Sequence, residues 1–172
     1  MHRRPWKVPI VKGASQGIGA GIVAAYRRHG HAVVATSRSM ALSMDSGVLS
    51  IAGDVRDRSA AERLVAVALA RFGRIDTLVN NAGIFLGKPF TEYTAEEFTN
   101  VVDANLAGFF HTMQHVLPHM LRQGSGHIVQ ITTTLVHPGD SRSTLGPGPA
   151  EQGRPRCRDP WPWCVLGTAG QM

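Results

Sequence analysis

Lys12-Gly-Ala-Ser-Gln-Gly-Ile-Gly-Ala-Gly21, KGASQGIGAG, is the stretch on which the reading of the chain turns. It follows the short apolar run VPIV at residues 8–11 and leads into a segment of helical periodicity, so its glycines stand at a strand-to-helix turn. Glycines there let backbone N–H groups approach a phosphate closely, and the helix start adds partial positive charge. The spacing is G-x-x-x-G-x-G. The commoner G-x-G-x-x-G/A form is matched only by GAGIVA, residues 19–24, which lies inside the helix and reads as coincidence. Alone, the loop also fits a tight turn that holds nothing.

Outward from the loop, short β-branched runs alternate with helical periods, the pattern of a parallel sheet wrapped by crossover helices. Strands are predicted at Val8–Val11, His31–Thr36, Val48–Ala52, Ile75–Asn80 and His127–Thr133. The first helix is predicted over Ile18–His29, with Ile18, Ile22, Val23 and Tyr26 facing inward and Gly30 as its C-terminal cap. Ser59-Ala-Ala-Glu62 reads as a capping box opening a helix to about Phe72, and Thr94-Ala-Glu-Glu97 as another opening a helix toward Val102. A long helix, Ala104 to Arg122, is expected to pack Leu106, Phe110, Met113, Leu117 and Leu121, with Pro118 bending its last turns. The expected fold is α/β, a doubly wound, Rossmann-like parallel sheet, incomplete after the fifth strand.

The chain of 172 residues, 43% of them hydrophobic, has material for about one core. After residue 137 the pattern breaks. Residues 138–172 hold six of the ten prolines, both cysteines and two of the three tryptophans, with no periodicity, so two regions are expected. Residues 1–137 are expected to form one Rossmann-like domain, and residues 138–172 a Gly/Pro/Arg-rich tail expected to be disordered. Cys157 and Cys164 in that tail suit neither a disulfide framework nor a four-ligand zinc site. The net charge of +6 comes from scattered arginines with no basic, aromatic-interleaved face, which argues against nucleic acid. The N-terminus lacks an apolar run of secretory length and no span suits a membrane, so a cytoplasmic location is expected.

Four segments then appear in order: GASQGIG at 13–19, GDV at 53–55, NNAG at 80–83 and Asn105 in NLAG. Together they resemble the short-chain dehydrogenase/reductase family over about residues 7–136. The resemblance implies that Gly13, Ser15, Gln16, Gly17, Ile18 and Gly19 wrap a pyrophosphate and adenine ribose. It implies that Asp54 and Val55 bracket the adenine, and that Asn80, Ala82 and Gly83 lie along the nicotinamide ribose. Asn105 matches the asparagine that holds a proton-relay water in that family. The implied chemistry is hydride exchange between a nicotinamide cofactor and an alcohol or carbonyl substrate. The end of the second strand reads ATSRS, residues 35–39, with no carboxylate for a ribose 2′-hydroxyl, whereas Arg38 can pair with a 2′-phosphate, so NADP(H) is expected over NAD(H).

Catalysis in such proteins needs a hydroxyl to orient the carbonyl and a tyrosine, its pKa lowered by a nearby lysine, to supply a proton. Thr133 in ITTT stands at the carbonyl-orienting position, where the family shows serine. The family's Tyr-x-x-x-Lys would begin near residues 145–147, but Tyr26 and Tyr93 are the two tyrosines and Lys88 is the last lysine. Turnover by this chain is therefore in question, and the abrupt change near residue 138 suggests a shifted or mis-joined reading frame. The alternatives are a non-catalytic NADP(H)-binding module and an inactive remnant. The uncovered fifth strand, HIVQI, is expected to favour self-association. Two further departures are Pro9 within the first strand, expected to cost a ladder bond, and Lys12 where the family carries threonine, read as a phosphate contact or as a surface or locally disruptive lysine. His111, His115 and His119 share a helix stripe, but with no carboxylate or cysteine beside them no metal site is assigned.

Overall fold

The computed structural model of the protein describes residues 6–132. Five parallel strands, β1 (Pro9–Lys12), β2 (Val33–Ser37), β3 (Val48–Ala52), β4 (Thr77–Asn80) and β5 (His127–Gln130), form one sheet in the order β3-β2-β1-β4-β5. Helices α1 (Gly17–Arg28), α2 (Arg58–Phe72), α3 (Ala95–Val102) and α4 (Gly108–Gln123) accompany them. Every residue of β1, β2 and β4 is buried, as expected of parallel strands covered on both faces.

The pleat splits the strand side chains into two cores. On one face Ile10, Val34 and Leu78 pack with Leu64, Val65 and Ala68 of α2 and with Val116 and Met120 of α4. On the other, Val11, Val33, Ala35 and Val79 meet Ile22, Val23 and Tyr26 of α1. Each fully buried Val, Leu, Ile or Met among them contributes about 1.5–3 kcal/mol. Crossing from β3 back over β2 and β1 to β4 reverses the direction of travel, which carries α2 and α4 to the face opposite α1.

Several local expectations change. The α2 N-cap is Asp57, whose carboxylate accepts from the Ser59 N–H at 2.8 Å, and not Ser59. The box at Thr94 and Glu97 forms as read and starts α3. The long helix opens with a π-helical turn, Asp103–Ala107. Its inward stripe is Gly108, Thr112, Val116 and Met120, while Leu106, Phe110 and Leu121 are more than half exposed. Val116 and Met120 of that stripe join the core on the sheet, and Met113 packs against its margin. Ile18 is likewise exposed, leaving Ile22, Val23 and Tyr26 as the packing face of α1. Pro9 is accommodated as the first residue of β1, ahead of the first β1–β2 register pair, Ile10 with Val34.

Candidate cofactor cleft

The carboxyl ends of β1, β2, β3 and β4 open onto one cleft of about 430 Å³. Its walls are the segments that follow those strands: Gly13 and Ser15–Ile18, Ser37–Ser39, Asp54–Arg56 and Asn81–Ile84, with Ala104 closing one side. Parallel α/β sheets place their ligands at this end.

The loop after β1 has the geometry its glycines demand. Gly13 sits at φ +68°, and a Cβ there would stand 3.0 Å from the Ala82 Cα. A Cβ on Gly19 would lie 2.1 Å from the Gly13 carbonyl oxygen, so α1 can approach β1 this closely only without a side chain. Gln16, the N-cap of α1, makes no side-chain cap bond, and the first turn carries no acidic residue. The first N–H groups of α1 therefore remain available to an anionic group, and nothing negative on that turn opposes it.

At the far side of the cleft, Asp54 is gripped by Arg56 through contacts of 2.7–3.1 Å. The hydrogen bond from the Arg56 side chain holds the Asp54 carboxyl below its ordinary range, the Arg56 backbone N–H adds to this, and the charge of Arg38 acts in the same direction. Arg56 also donates to Asn100 of α3 at 3.1 Å. Arg38 makes no hydrogen bond or ion pair among the described residues. One carboxylate between two guanidinium groups leaves this end of the cleft net positive.

Gly13, Ser15, Gln16, Gly17, Ile18, Arg38, Asp54, Val55, Ala82 and Gly83 all line the cleft. Gly19 lies behind the loop as its packing contact. Asn80 does not line it. Its side chain lies in β4, 1% exposed, and donates to Gln130 Oε1 at 2.5 Å. The neighbouring Asn81 lines the cleft instead and donates to the carbonyls of Lys12 and Gly13 at 3.1 and 3.2 Å, tying β4 to the glycine loop. Alternation could have separated the pair: Asn80 shares the parity of Leu78 and so belongs to the layer beneath α2 and α4, whereas Asn81 follows the end of β4.

Asn105, in the π turn, also stands back from the cleft. Its Oδ1 accepts from the Ile84 N–H at 2.8 Å and its Nδ2 donates to the Ile84 carbonyl at 2.9 Å, which fixes the Gly83–Ile84 wall. Thr133 and the positions awaiting Tyr-x-x-x-Lys lie outside the described residues. Lys12 neither reaches the cleft nor the surface: its side chain is 1% exposed and its Nζ donates to the Gly108 carbonyl at 2.6 Å. Burial pushes its pKa down to about 8. Among the described residues no group of three metal-binding side chains occurs, and no helix is long and apolar enough to cross a membrane.

A five-stranded parallel sheet in this order, with helices on both faces and a glycine loop at the carboxyl end, defines a Rossmann-like nucleotide-binding domain. The family model for short chain dehydrogenase matches residues 7–140, and the chain belongs to that family. It is 32% identical over 133 residues to an uncharacterised oxidoreductase of Staphylococcus epidermidis, covering 74% of this chain and 58% of the relative. To another from Staphylococcus saprophyticus it is 35% identical over 154 residues, covering 81% and 64%. A short-chain dehydrogenase structure from Streptomyces avermitilis superposes with a TM-score of 0.73 at 31% identity, covering 78% of this chain and 52% of that one. The chain thus spans about three fifths of the length of these curated relatives.

Proposed function

We propose that the cleft binds NADP(H) in preference to NAD(H), and that the chemistry it serves is hydride exchange with an alcohol or carbonyl substrate. The observation that carries the cofactor preference is Arg38, a cleft residue with no ion-pair partner among the described residues, immediately after β2. A guanidinium there can meet a 2′-phosphate, and no carboxylate follows β2 to take a 2′-hydroxyl. The uncapped start of α1 and the Gly13–Gly19 loop would receive the pyrophosphate, Asp54 and Val55 the adenine, and Ala82 and Gly83 the nicotinamide ribose. The bound cofactor would supply or accept the hydride. Asn105 would support a relay water and Thr133 would orient the carbonyl, both on the family resemblance.

A second reading, a module that binds NADP(H) without turnover, is favoured by one fact: no tyrosine or lysine follows Thr133. Loss of a positioned proton donor lowers rates by about 10² to 10⁴. Titrating the chain with NADPH and NADH by fluorescence, then following NADPH absorbance with simple ketones and aldehydes, separates the readings. Tight NADPH binding with turnover supports the enzyme, and binding without turnover supports the module. Absence of binding overturns both. Self-association belongs to the same proposal, supported by β5 as the last strand of the described sheet and by exposed Leu106, Phe110 and Leu121; sedimentation checks it.

A further inference from the structure

We propose that Lys12 is a positioning residue of the cleft, whose ammonium holds the start of α4 in place and so keeps the two cleft walls at the spacing a dinucleotide needs. The inference rests on the reading of the cleft as an NADP(H) site, but its geometry concerns a residue outside the cleft lining.

Lys12 is the last residue of β1, one step before Gly13. It is in register with Thr36, and Asn80 follows Val79, the partner of Val11, so Asn80 falls alongside it on the next strand. Asn80 is in turn paired with Gln130. Thr36, Lys12, Asn80 and Gln130 thus form a polar row across four strands, on the face that α2 and α4 cover. Thr36, Lys12 and Asn80 are each 5% exposed or less. Among the described residues no carboxylate pairs with the ammonium, and Asn80 Oδ1 is buried without a partner. The hydrogen bond from Lys12 Nζ is to the Gly108 carbonyl, an oxygen that also accepts from Thr112 Oγ1 at 3.0 Å.

Gly108 is where the consequences spread. It is the first residue of α4, directly after the π turn. Its backbone lies so close to Val55 that a Cβ there would stand 3.0 Å from the Val55 carbonyl oxygen and 3.1 Å from its Cβ and Cγ2. Three residues earlier, Asn105 clasps both backbone groups of Ile84. The start of α4 is therefore in contact with the wall after β3 and bonded to the wall after β4, and Lys12 fastens it to the central strand from which the glycine loop departs. A buried ammonium without a counter-charge costs stability, and a methionine of similar length would avoid that cost. What the ammonium contributes is the position of the carbonyl it holds.

The test compares the whole wild-type chain with Lys12→Met by hydrogen–deuterium exchange without ligand, thermal unfolding at neutral pH and NADPH titration. The expected result has opposite signs: an equal or higher unfolding midpoint, faster exchange confined to residues 54–56, 83–86 and 103–108, and an NADPH dissociation constant raised about tenfold. Exchange unchanged in those segments overturns the proposal. So does exchange that rises evenly along the chain with a lower midpoint, which marks a merely structural lysine. If wild type binds no NADPH yet the variant shows the local rise, the tether stands and the cofactor reading falls. If both bind NADPH equally without a local rise, the reverse holds. Should Lys12→Met not fold, Lys12→Gln, which shortens the side chain and removes the charge, is expected to show the same local rise, and its absence overturns the proposal.

Discussion

The two ends of the sheet treat buried polar groups in opposite ways. At the amino ends of the strands, Asp76 accepts from the Val8 N–H at 2.8 Å and is held by Arg74 through two bonds of 2.8 and 2.6 Å. Its own N–H and carbonyl bond Val8 and His127, and Gln123 brackets both backbone groups of Ile75 at 3.0 and 2.8 Å. Polar capacity at that end is spent on closing the fold. At the carboxyl ends, α1 starts without a side-chain cap, Asn80 Oδ1 is unpartnered, and Lys12 is buried without a carboxylate among the described residues. Locally unfavourable choices gathered at one end mark where a fold trades stability for binding.

The largest expected effect lies at the closed end. Asp76→Ala strands the Val8 N–H and removes the partner of Arg74, and is expected to lower unfolding free energy by about 3 kcal/mol in a urea titration, leaving NADPH affinity of the folded fraction unchanged. The next effect belongs to the open end and carries a sign. Lys12 titrates near 8 when folded against 10.5 when unfolded, so between those values the unfolded chain binds more protons. Stability therefore rises with pH across that window, by up to about 3 kcal/mol, and is level below it. Lys12→Met removes the rise, as urea titrations at a series of pH values would reveal. Arg38→Ala is expected to weaken NADPH binding by about tenfold and leave NADH within about twofold, which narrows the ratio measured by fluorescence. Smallest is Thr94→Ala, which opens the capping box of α3 and lowers stability by about 1 kcal/mol.

The closed end and the sheet order were legible because apolar runs alternate with helical periods, and the glycine loop because its spacing has a mechanical reason at Gly13 and Gly19. The misreadings have physical causes. The long helix carries apolar residues on two stripes, and Leu, Phe and Met weighed more in the reading than Thr112 and Val116, whose smaller side chains fit against the sheet. The π turn Asp103–Ala107 has no glycine or proline to announce it. Asn80 and Asn81 are adjacent and chemically identical, so their division between sheet and cleft rests on pleat parity alone. The charge of Lys12 suggests a phosphate contact or a surface or locally disruptive lysine, whereas its parity with Ile10 sets it in the layer beneath α2 and α4.

On the reading proposed above, NADP(H) enters at the open end of the sheet and not at the closed one. Amide proton–nitrogen spectra of the labelled chain, recorded while NADPH is added, test it most directly. Saturable shifts are expected at Ser15–Gly19, Arg38, Val55 and Asn81–Ile84, with Val8, Asp76 and Gln123 unmoved. No shifts at those cleft residues, or shifts centred on the Asp76 end, would contradict it.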